Sequence, residues 1–352
     1  KMKRSRHADE VLEEQLASSS STNSAHASSL AVPCPFACSR VVAPMVGASD
    51  LAFRLLCRRH GADAAYTEML FASRVVREAG YCARKLQTCE LDKPLIVQLC
   101  ATGADDLAAA GKLVEPLCDA IDINLGCPLP QAASEGFGAW LLDVEHRPRL
   151  KAMVAQLKRA VTVPVFCKIR LLATMDESIA LCRDLQAAGC SLIAVHGRTR
   201  PPLGQHRQHR DAPADLDAIR QLVASVDCPV LANGNTQHPS SVAANLELTG
   251  AAGVMAAEGL LRDPMLFSPG HVPSKDALAS VALEYLHLAR EFPPEMSMVR
   301  GHIMWMLGKH GKGHRCKWEH VGPFSAQQLH SAIVGAQSVD ELETIVRCTL
   351  MS

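Results

Sequence analysis

Two glycines and one lysine have the residue type and position that suit an anionic, phosphorylated ligand. Gly234 and Gly259 each follow a short apolar run, and glycine there lets backbone N–H groups approach a phosphate closely. Lys168 lies within the apolar run 165–170, and a buried cation needs an anionic partner. A phosphate and an anionic cofactor ring would supply that partner. These residues therefore indicate a site for a phosphorylated cofactor.

Eight short strands that alternate with helical stretches would position these residues. Runs of β-branched and apolar residues predict strands at residues 40–46, 64–67, 95–100, 120–124, 165–170, 192–196, 230–233 and 253–256. Pro94, Pro164 and Pro229 each precede a strand, and Asp50 stands where a helix cap is expected. The pattern predicts a (β/α)8 TIM barrel over residues 39–268, in which function collects where the strands end.

A doubly wound α/β sheet is the alternative fold. Such a sheet usually has a glycine-rich loop after its first strand. Here that loop reads Ala43-Pro44-Met45-Val46-Gly47 and contains no GxGxxG sequence. The barrel is therefore the predicted fold.

The two ends of the chain differ from the barrel region. Residues 1–38 are of low complexity and include a serine run, which predicts a disordered tail without a signal peptide. Residues 274–352 show helical patterns near 276–291, 296–308, 326–336 and 339–349, and no strand pattern. This region predicts a small C-terminal helical bundle.

The overall composition excludes several classes of protein. With 48% hydrophobic residues among 352, the chain can bury a core, so global disorder is excluded. No apolar run approaches the ~20 residues of a membrane span. The 14 cysteines lie mostly singly in apolar segments, which indicates free thiols, a reducing compartment and a cytoplasmic location, with nucleus and mitochondrion left open. Equal numbers of basic and acidic residues, 36 each, argue at first against a nucleic-acid partner.

Seven short motifs, in order and at barrel spacing, resemble the tRNA-dihydrouridine synthases over residues 41–267. The likeness is strongest to the eukaryotic branch that modifies the D-loop near its 5′ side. The motifs are Ala43-Pro44-Met45-Val46-Gly47 with Ser49-Asp50 and Phe53-Arg54, then Tyr66-Thr67-Glu68-Met69, Asp122-Ile123-Asn124-Leu125-Gly126-Cys127-Pro128, Lys168-Ile169-Arg170, His196-Gly197-Arg198-Thr199-Arg200, Ala232-Asn233-Gly234-Asn235 and Ala257-Glu258-Gly259.

The resemblance implies FMN as cofactor, NADPH as electron donor, and reduction of a tRNA uridine to dihydrouridine. It implies that Asn124 and Arg198 lie near the substrate base and that Cys127 is the catalytic acid. The implied cofactor-binding residues are Pro44 and Met45 beside the flavin ring, Gln98 and Lys168 at its pyrimidine edge, and His196, Asn233, Gly234, Asn235, Glu258 and Gly259 around the phosphate.

The implied reaction explains these residue types. Reduction of the uracil C5–C6 double bond needs a hydride at C6, which reduced flavin supplies, and a proton at C5. A thiol across the ring can give that proton as a general acid, and a lysine near flavin N1 and O2 would stabilise the reduced ring. The base must leave its stack to enter the pocket, so loop bases are natural substrates.

Each assignment has a structural alternative. Cys127 is one of 14 cysteines, most of which are inert core residues. His196 could be a hydrogen-bonded core histidine, and Gly234 and Gly259 could be turn glycines. Lys168 could form a structural ion pair with Asp122 or Glu258. Asp122 is interpreted as structural.

The loop after Cys127 departs from the family pattern. The branch usually has a Lys-Arg-Gly segment there, whereas this chain has Ala133-Ser134-Glu135-Gly136. Two positive charges are lost and one negative charge is gained. The change indicates weaker RNA affinity at the loop, a different target uridine as in a second branch with Glu before Gly, or an inactive relative.

Two local basic clusters weaken the argument from net charge against a nucleic-acid partner. One contains Arg200, His206, Arg207, His209 and Arg210; the other contains Arg300, Lys309, Lys312, Arg315 and Lys317 with His302, His310, His314, His320, Trp305 and Trp318. Basic residues among aromatics suit tRNA contact, and a solvated helix face is the alternative. A zinc site from His310, His314, Cys316 and His320 matches no common spacing, so no metal is predicted.

Three functions remain open on the sequence alone. The first is a flavin-dependent tRNA uridine reductase, with no membrane and no stable protein partner expected. The second is a flavin barrel acting on a free pyrimidine, which the basic C-terminal region disfavours. The third is a catalytically inactive RNA-binding relative, which the altered loop at Ala133-Ser134-Glu135 favours.

Overall fold

Parallel pairing closes the strands into a barrel. The computed structural model describes residue 36 and residues 38–202, 212–307, 320–321 (backbone) and 323–350, all within the compact unit Val32–Ser352. The strands are β1 Arg40–Val42, β2 Ala64–Tyr66, β3 Leu70–Phe71, β4 Leu95–Cys100, β5 Ala120–Leu125, β6 Val165–Leu171, β7 Leu192–Thr199, β8 Val230–Asn233 and β9 Gly253–Ala256. Strand β1 pairs with both β2 and β9, and β2 also pairs with β4, so the predicted eight-stranded barrel is confirmed.

One barrel strand, β3, was not predicted from the sequence. Strands β2 and β3 both pair with β4, β2 along its first half and β3 along its second half. Between them, Thr67 accepts a hydrogen bond at its Oγ1 from the Gln98 backbone N–H at 3.2 Å. A side chain thus replaces the strand partner where the ladder is interrupted. The interruption lets Thr67-Glu68-Met69 leave the sheet at the mouth of the barrel.

Within the described ranges, ten α-helices follow the strands and surround the barrel. Asp50 caps the first of them, because its side chain accepts a hydrogen bond from the Phe53 N–H at 3.0 Å, as predicted. Gly189 and Gly250 follow helix ends with φ of +105° and +63°. The helices are Leu51–Arg59, Ala72–Arg77, Tyr81–Lys85, Ala104–Val114, Pro130–Glu135, Arg147–Ala160, Met175–Ala187, Leu216–Val223, Pro239–Thr249 and Glu258–Arg262, with 3-10 turns at Glu115–Leu117, Gly138–Leu142 and Val144–His146.

The barrel interior is apolar near the start of the strands. Phe36 packs against Phe166 with ring centroids 5.9 Å apart, at the N-terminal end of β6. Cys38, in the same cluster, is disulfide-bonded, unlike the free thiols expected. The other inward-facing residues of this layer are Val41, Ala64, Ile96, Ala120, Leu192, Leu231 and Met255. A larger core of Leu, Val and Ile side chains lies between the strands and the helices.

The C-terminal region is helical, with one exception to the prediction. Its helices are Lys275–Glu291, Met296–Leu307, Ala326–Gly335 and Val339–Leu350, close to the predicted ranges. The prediction of no strands was wrong, because β10 (His320–Val321) and β11 (Phe324–Ser325) form a short antiparallel pair. Pairs this short have no periodic pattern to detect. The division between a barrel at 39–268 and a separate tRNA-binding domain at 274–352 stays a prediction.

A buried polar contact joins the C-terminal helices to the barrel. His302 is 1% exposed, and its Nε2 lies 2.7 Å from Asp50 Oδ2. The imidazole stacks on Phe53 with centroids 4.2 Å apart, and the Tyr285 hydroxyl donates to Asp50 Oδ1 at 3.5 Å. Burial alone would raise the pKa of Asp50, but the facing His302 holds it below its ordinary value. Asp50 thus caps a barrel helix and anchors the C-terminal helices with one carboxylate.

Replacing Asp50 by Ala tests this anchor. The change leaves a buried imidazole without its partner, so we expect the free energy of unfolding to fall by about 3 kcal/mol. The matched control is Ser274→Ala, which removes an exposed cap that accepts from the Ala277 N–H and should lose about 1 kcal/mol. Urea denaturation measures both values. Equal losses in the two variants would contradict the anchoring role.

Candidate active site

Inward-facing side chains become polar toward the C-terminal ends of the strands. Alternate residues of a strand face the same side, so β5 presents Ala120, then Asp122, then Asn124, and β6 presents Phe166 before Lys168. Asn233 ends β8 in the same layer. The strand-end residues singled out from the sequence therefore converge on the mouth of the barrel.

Two adjoining clefts open at this mouth. The first has a volume of about 340 Å³ and the second about 310 Å³, and both are lined by Pro44, Leu129 and Lys168. The first also contains Arg170, His196, Arg198, Asn233, Gly234, Asn235, Gln237 and Glu258. The second also contains Val46, Met69, Phe71, Gln98, Asn124, Cys127 and Phe137. The first cleft is thus rich in cations, and the second places a thiol among apolar and amide groups.

Cations dominate the first cleft. Burial, and then the nearby Arg170, lower the pKa of Lys168 to about 8. Burial and then Arg198 lower the pKa of Arg170 to about 10. The pKa of His196 falls well below its ordinary value through burial and the cations around it. Neutral His196 can therefore accept at Nε2 from Arg198 Nη1, 2.8 Å away. Such a cluster disfavours its own charge unless an anion joins it.

Among the described residues, no carboxylate near the cleft forms an ion pair with Lys168 or Arg170. Glu258 pairs with Arg262 at 3.2 Å. Burial raises the pKa of Asp122 to about 7, although Gln98 and Lys168 act in the opposite direction. Lys168 instead donates to Asn233 Oδ1 at 2.9 Å, and among the described residues it forms no ion pair, including the proposed ones with Asp122 and Glu258. The donor set therefore suits an anionic ligand.

A chain of side-chain amides connects the barrel floor to the cysteine. Asn124 Oδ1 accepts from the backbone N–H groups of Gly126 and Cys127, at 3.2 and 3.0 Å. Its Nδ2 must then face Gln98 Oε1, at 2.8 Å, which directs Gln98 Nε2 to Asp122 Oδ2, also at 2.8 Å. Each amide can face only one way in this chain. The fully buried Asp122 thus fixes the orientation of both amides, which agrees with its structural interpretation.

Cys127 is a half-buried thiol in an apolar setting. Cys100, Ala132 and Phe137 form the small cluster on which it packs, together with Phe71. Burial raises the pKa of Cys127, with the backbone of Leu129 and the charge of Arg170 opposing the shift. The side chain is therefore a neutral thiol near pH 7 and can donate a proton. A neutral thiol is a poor nucleophile.

The two glycines predicted at a phosphate have packing roles of their own. Gly234 has φ of +123°, and a Cβ there would lie 2.6 Å from Ala214 Cβ. A Cβ at Gly259 would lie 2.4 Å from the Thr236 carbonyl oxygen. Gly234 lines the first cleft, while Gly259 follows Glu258 behind it. The turn-glycine alternative thus has direct structural support, and the phosphate contact stays a prediction.

The structure places most of the predicted site residues at the clefts. Met45 is half-buried, packs against the outer core and lines neither cleft. Asn235 lines the first cleft but uses its side-chain amide to bond Ala214, at 2.9 and 3.0 Å. Their assigned cofactor roles stay predictions.

Several lining residues were not predicted. Arg170 lies two residues after Lys168 on β6, so strand alternation alone could have identified it. Others include Gln237 in the first cleft and Val46, Met69, Phe71 and Phe137 in the second. The apolar residues among them carry no chemical signal, because only the fold brings them to the thiol.

The altered residues belong to a short helix of which Gln131 and Ala132 line the second cleft. Pro130–Glu135 is helical and ends at Gly136, with φ of +74°. Exposed Glu135 accepts from Gln131 Nε2 at 2.8 Å and lines neither cleft. The extra negative charge therefore lies on the outer surface of the loop.

The predicted basic clusters are only partly within the described chain. Arg200 pairs with Asp143, Arg300 donates to the Ala336 carbonyl at 3.0 Å, and His302 is buried against Asp50. The interpretation of His302 as part of an RNA-contacting surface was wrong, because the fold buries it. Residues 206–210 and 309–318, the side chain of His320 and the proposed zinc ligands lie outside the described residues, as does nearly all of the tail 1–38.

Neither a metal site nor a membrane-spanning helix is found among the described residues. No group of three or more His, Cys, Asp or Glu side chains in this part of the chain is arranged to hold a metal ion. None of the helices described is both long and apolar enough to cross a membrane.

Solved structures support the fold. The superposition on a 2-naphthoyl-CoA reductase complex covers 91% of this chain and 68% of the other chain, at 11% identity and with a TM-score of 0.51. Histamine dehydrogenase from Rhizobium sp. 4-9 covers 85% of this chain and 54% of its own at 13% identity, with a TM-score of 0.50. At such low identity these similarities concern the fold alone.

Curated relatives are similar over most of this chain. A Mus musculus protein named tRNA-dihydrouridine(16/17) synthase (NAD(P)(+))-like is 42% identical over 265 residues, 75% of this chain and 54% of that protein. The Schizosaccharomyces pombe tRNA-dihydrouridine(16/17) synthase is 32% identical, over 76% of this chain and 69% of its own. A Homo sapiens tRNA-dihydrouridine(20a/20b) synthase-like protein is 34% identical, over 77% of this chain and 82% of its own length.

The family model agrees with these relatives. The chain spans only 54% and 58% of the length of the mouse and rat relatives it matches. The model described as "Dihydrouridine synthase (Dus)" nevertheless matches residues 41–321, which include both clefts and Cys127. The resemblance seen in the seven motifs is thereby confirmed, and the chain belongs to the dihydrouridine synthase family.

Proposed function

We propose that this chain reduces uridine to 5,6-dihydrouridine in the D-loop of tRNA, with FMN as cofactor and NADPH as electron donor. The observation that carries the proposal is the pair of clefts that meet at Lys168, one rich in cations and the other lined by a neutral thiol. The names of the relatives, tRNA-dihydrouridine synthases with NAD(P)(+), support the same reaction. A tRNA substrate agrees with the cytoplasmic location expected.

The cation-rich cleft fits a flavin phosphate and an anionic reduced ring. Lys168, Arg170 and Arg198 line it, and Lys168 and Arg170 have pKa values lowered by burial and by neighbouring cations. An anion there would relieve the mutual repulsion. The residues proposed to hold FMN are Pro44, Met45, Gln98, Lys168, His196, Asn233, Gly234, Asn235, Glu258 and Gly259.

The second cleft fits a uracil ring. Its walls include Met69, Phe71 and Phe137, which can cover an aromatic face, and Asn124 Nδ2 has a second N–H that could meet a carbonyl edge of the base. When bound and reduced by NADPH, FMN would supply the hydride for uracil C6. Cys127 would hold the proton for C5, and the raised pKa keeps the thiol protonated at neutral pH. Arg198 would approach the base from the first cleft.

Uridines 16 and 17 are the proposed targets. The mouse relative named for positions 16/17 is 42% identical to this chain, and the human relative named for 20a/20b is 34% identical. Glu135 lies on the outer surface of its loop, so its charge would meet the tRNA outside the pocket. The loop change would then affect how tRNA docks and leave the chemistry intact.

The affinity for FMN should depend on pH through Lys168. Since the pKa of Lys168 in the free protein is about 8, the ammonium loses its proton above that pH. We expect FMN affinity to be flat from pH 6.5 to 7.5 and to fall by up to about tenfold per pH unit above pH 8, with proton uptake on binding. Flavin fluorescence quenching measures this.

Lys168→Met is the control for that titration. It should weaken FMN binding by about 10- to 100-fold and remove the decline above pH 8. Protein that cannot be loaded with FMN, or wild-type affinity that stays flat to pH 9.5, would contradict the proposed cofactor site.

Replacement of Cys127 tests the proton donor. Cys127→Ala should lower dihydrouridine formation by about 10²- to 10⁴-fold and leave FMN content and NADPH oxidation by an artificial acceptor unchanged, because the thiol lies in the second cleft. Cys89→Ala, at a half-buried thiol away from both clefts, is the matched control. Product formation at the wild-type rate in Cys127→Ala would remove this residue from the mechanism.

Mapping of dihydrouridine tests the target. Cells that lack this protein should lose dihydrouridine at tRNA positions 16 and 17, and the wild-type gene should restore it while Cys127→Ala should not. Loss at 20a and 20b instead would reassign the target. An unchanged modification pattern would favour a catalytically inactive RNA-binding relative.

A further inference from the structure

Arg200, just beyond the end of β7, directs its contacts to the turn that follows the cysteine. Its Nη1 donates to the Ala139 carbonyl at 3.0 Å. Its two Nη atoms each lie 2.9 Å from a different oxygen of Asp143. Its guanidinium lies over the Trp140 ring, 4.0 Å from the centroid. All of these partners belong to the segment 139–143.

This segment supports Cys127 directly. The Ala139 N–H donates to the Cys127 carbonyl at 3.0 Å. Gly138 has φ of +66°, and a Cβ there would lie 2.8 Å from the Cys127 carbonyl oxygen and 2.9 Å from Cys127 Cβ. The turn therefore lies in close contact with the cysteine backbone, and a shift of the turn would shift the thiol.

A second arginine, Arg170, connects the cysteine segment to the end of β7. Arg170 Nε donates to the Gly126 carbonyl at 2.8 Å, and its Nη1 donates to the Thr199 carbonyl at 3.2 Å. Gly126 precedes Cys127, and Thr199 precedes Arg200. The cysteine segment is thus tied to the end of β7 both before and after Cys127.

We propose that Arg200 is a positioning residue that holds the Gly138–Asp143 turn against β7 and thereby fixes the Cys127 thiol at the second cleft. This inference rests on the proposed function for the catalytic meaning of that position. Sequence reasoning placed Arg200 among RNA-contacting residues. Its guanidinium is only partly exposed, with 27% of the side chain accessible. Both Nη atoms already donate hydrogen bonds, to Asp143 and to the Ala139 carbonyl.

The chemistry of the contact explains why an arginine is present. A planar guanidinium can meet a carboxylate with two parallel hydrogen bonds and stack on an aromatic ring at the same time. Lysine keeps the charge but has neither the fork nor the plane. Arg200→Lys therefore distinguishes two roles of Arg200. Lysine cannot replace arginine in the clamp, but it can preserve a contact to an RNA phosphate.

Alkylation of the FMN-loaded protein by iodoacetamide tests the clamp without using activity. In Arg200→Lys, a loosened turn should expose the Cys127 thiol and return its pKa toward the ordinary value, which raises its alkylation rate by about fivefold. Peptide mass spectrometry gives the rate for Cys127 relative to Cys89 in the same molecule. Asp143→Asn breaks the same pair from the other side and should give the same change.

The matched control is Arg220→Lys. Arg220 pairs with Asp217 at 3.0 Å on an exposed helix face, so its replacement should leave the Cys127 to Cys89 ratio unchanged. Single-turnover dihydrouridine formation should fall by about 10- to 100-fold in Arg200→Lys, while reduction of the flavin by NADPH stays at the wild-type rate. Loss of FMN content alone would indicate a general folding defect and count against the clamp.

Two results would overturn the proposal. An unchanged Cys127 to Cys89 ratio in both Arg200→Lys and Asp143→Asn would show that the pair does not hold the thiol. If Arg200→Met also lowered the salt slope of tRNA binding by about one unit, Arg200 would instead be an RNA phosphate contact. Since alkylation needs no tRNA, the clamp is tested even if the wild-type protein forms no dihydrouridine.

Discussion

Desolvation of positive charge at the mouth of the barrel is the constraint on which the site depends. Lys168, Arg170 and His196 lie close together, and burial lowers the pKa of each. A folded protein normally pairs such groups with carboxylates. Here Glu258 is bonded to Arg262, and Asp122 is bonded to Gln98. Within the part of the chain that the structure describes, Lys168 and Arg170 have no ion-pair partner, so this position suits an anionic ligand, and the strands that present the charge determine where that ligand would lie.

The thiol beside this cleft has the opposite electrostatic character. Apolar packing keeps Cys127 neutral, so it is suited to give a proton and poorly suited to attack carbon. Its position is determined by backbone contacts on both sides of it: Asn124 accepts from its N–H, and Ala139 donates to its carbonyl. Lys168 and Pro44 line both clefts, whereas Cys127 lines only the second.

The C-terminal helices share one anchor with the barrel. Asp50 caps the first barrel helix and receives His302 from the helix Met296–Leu307. The same loop region contains Ser49, whose hydroxyl accepts from the Met45 N–H at 2.9 Å and so helps to fix the chain around Pro44. The packing of the C-terminal helices and the shape of the first barrel loop are therefore physically linked. The order of charged residues along the sequence does not reveal this link.

The sequence by itself determined the barrel, the order of its strand-end motifs and the family, because alternation, proline and glycine placement and short motifs are local properties. Residue type and position in an apolar run singled out Lys168, and the family resemblance singled out Cys127 and Asn124. Only the tertiary structure decided which polar groups are partners. Strand β3 was missed because Thr67 replaces a backbone partner. His302 and Arg200 were assigned to RNA because their basic character is local, whereas the burial of His302 against Asp50 and the pairing of Arg200 with Asp143 depend on residues 252 and 57 positions away.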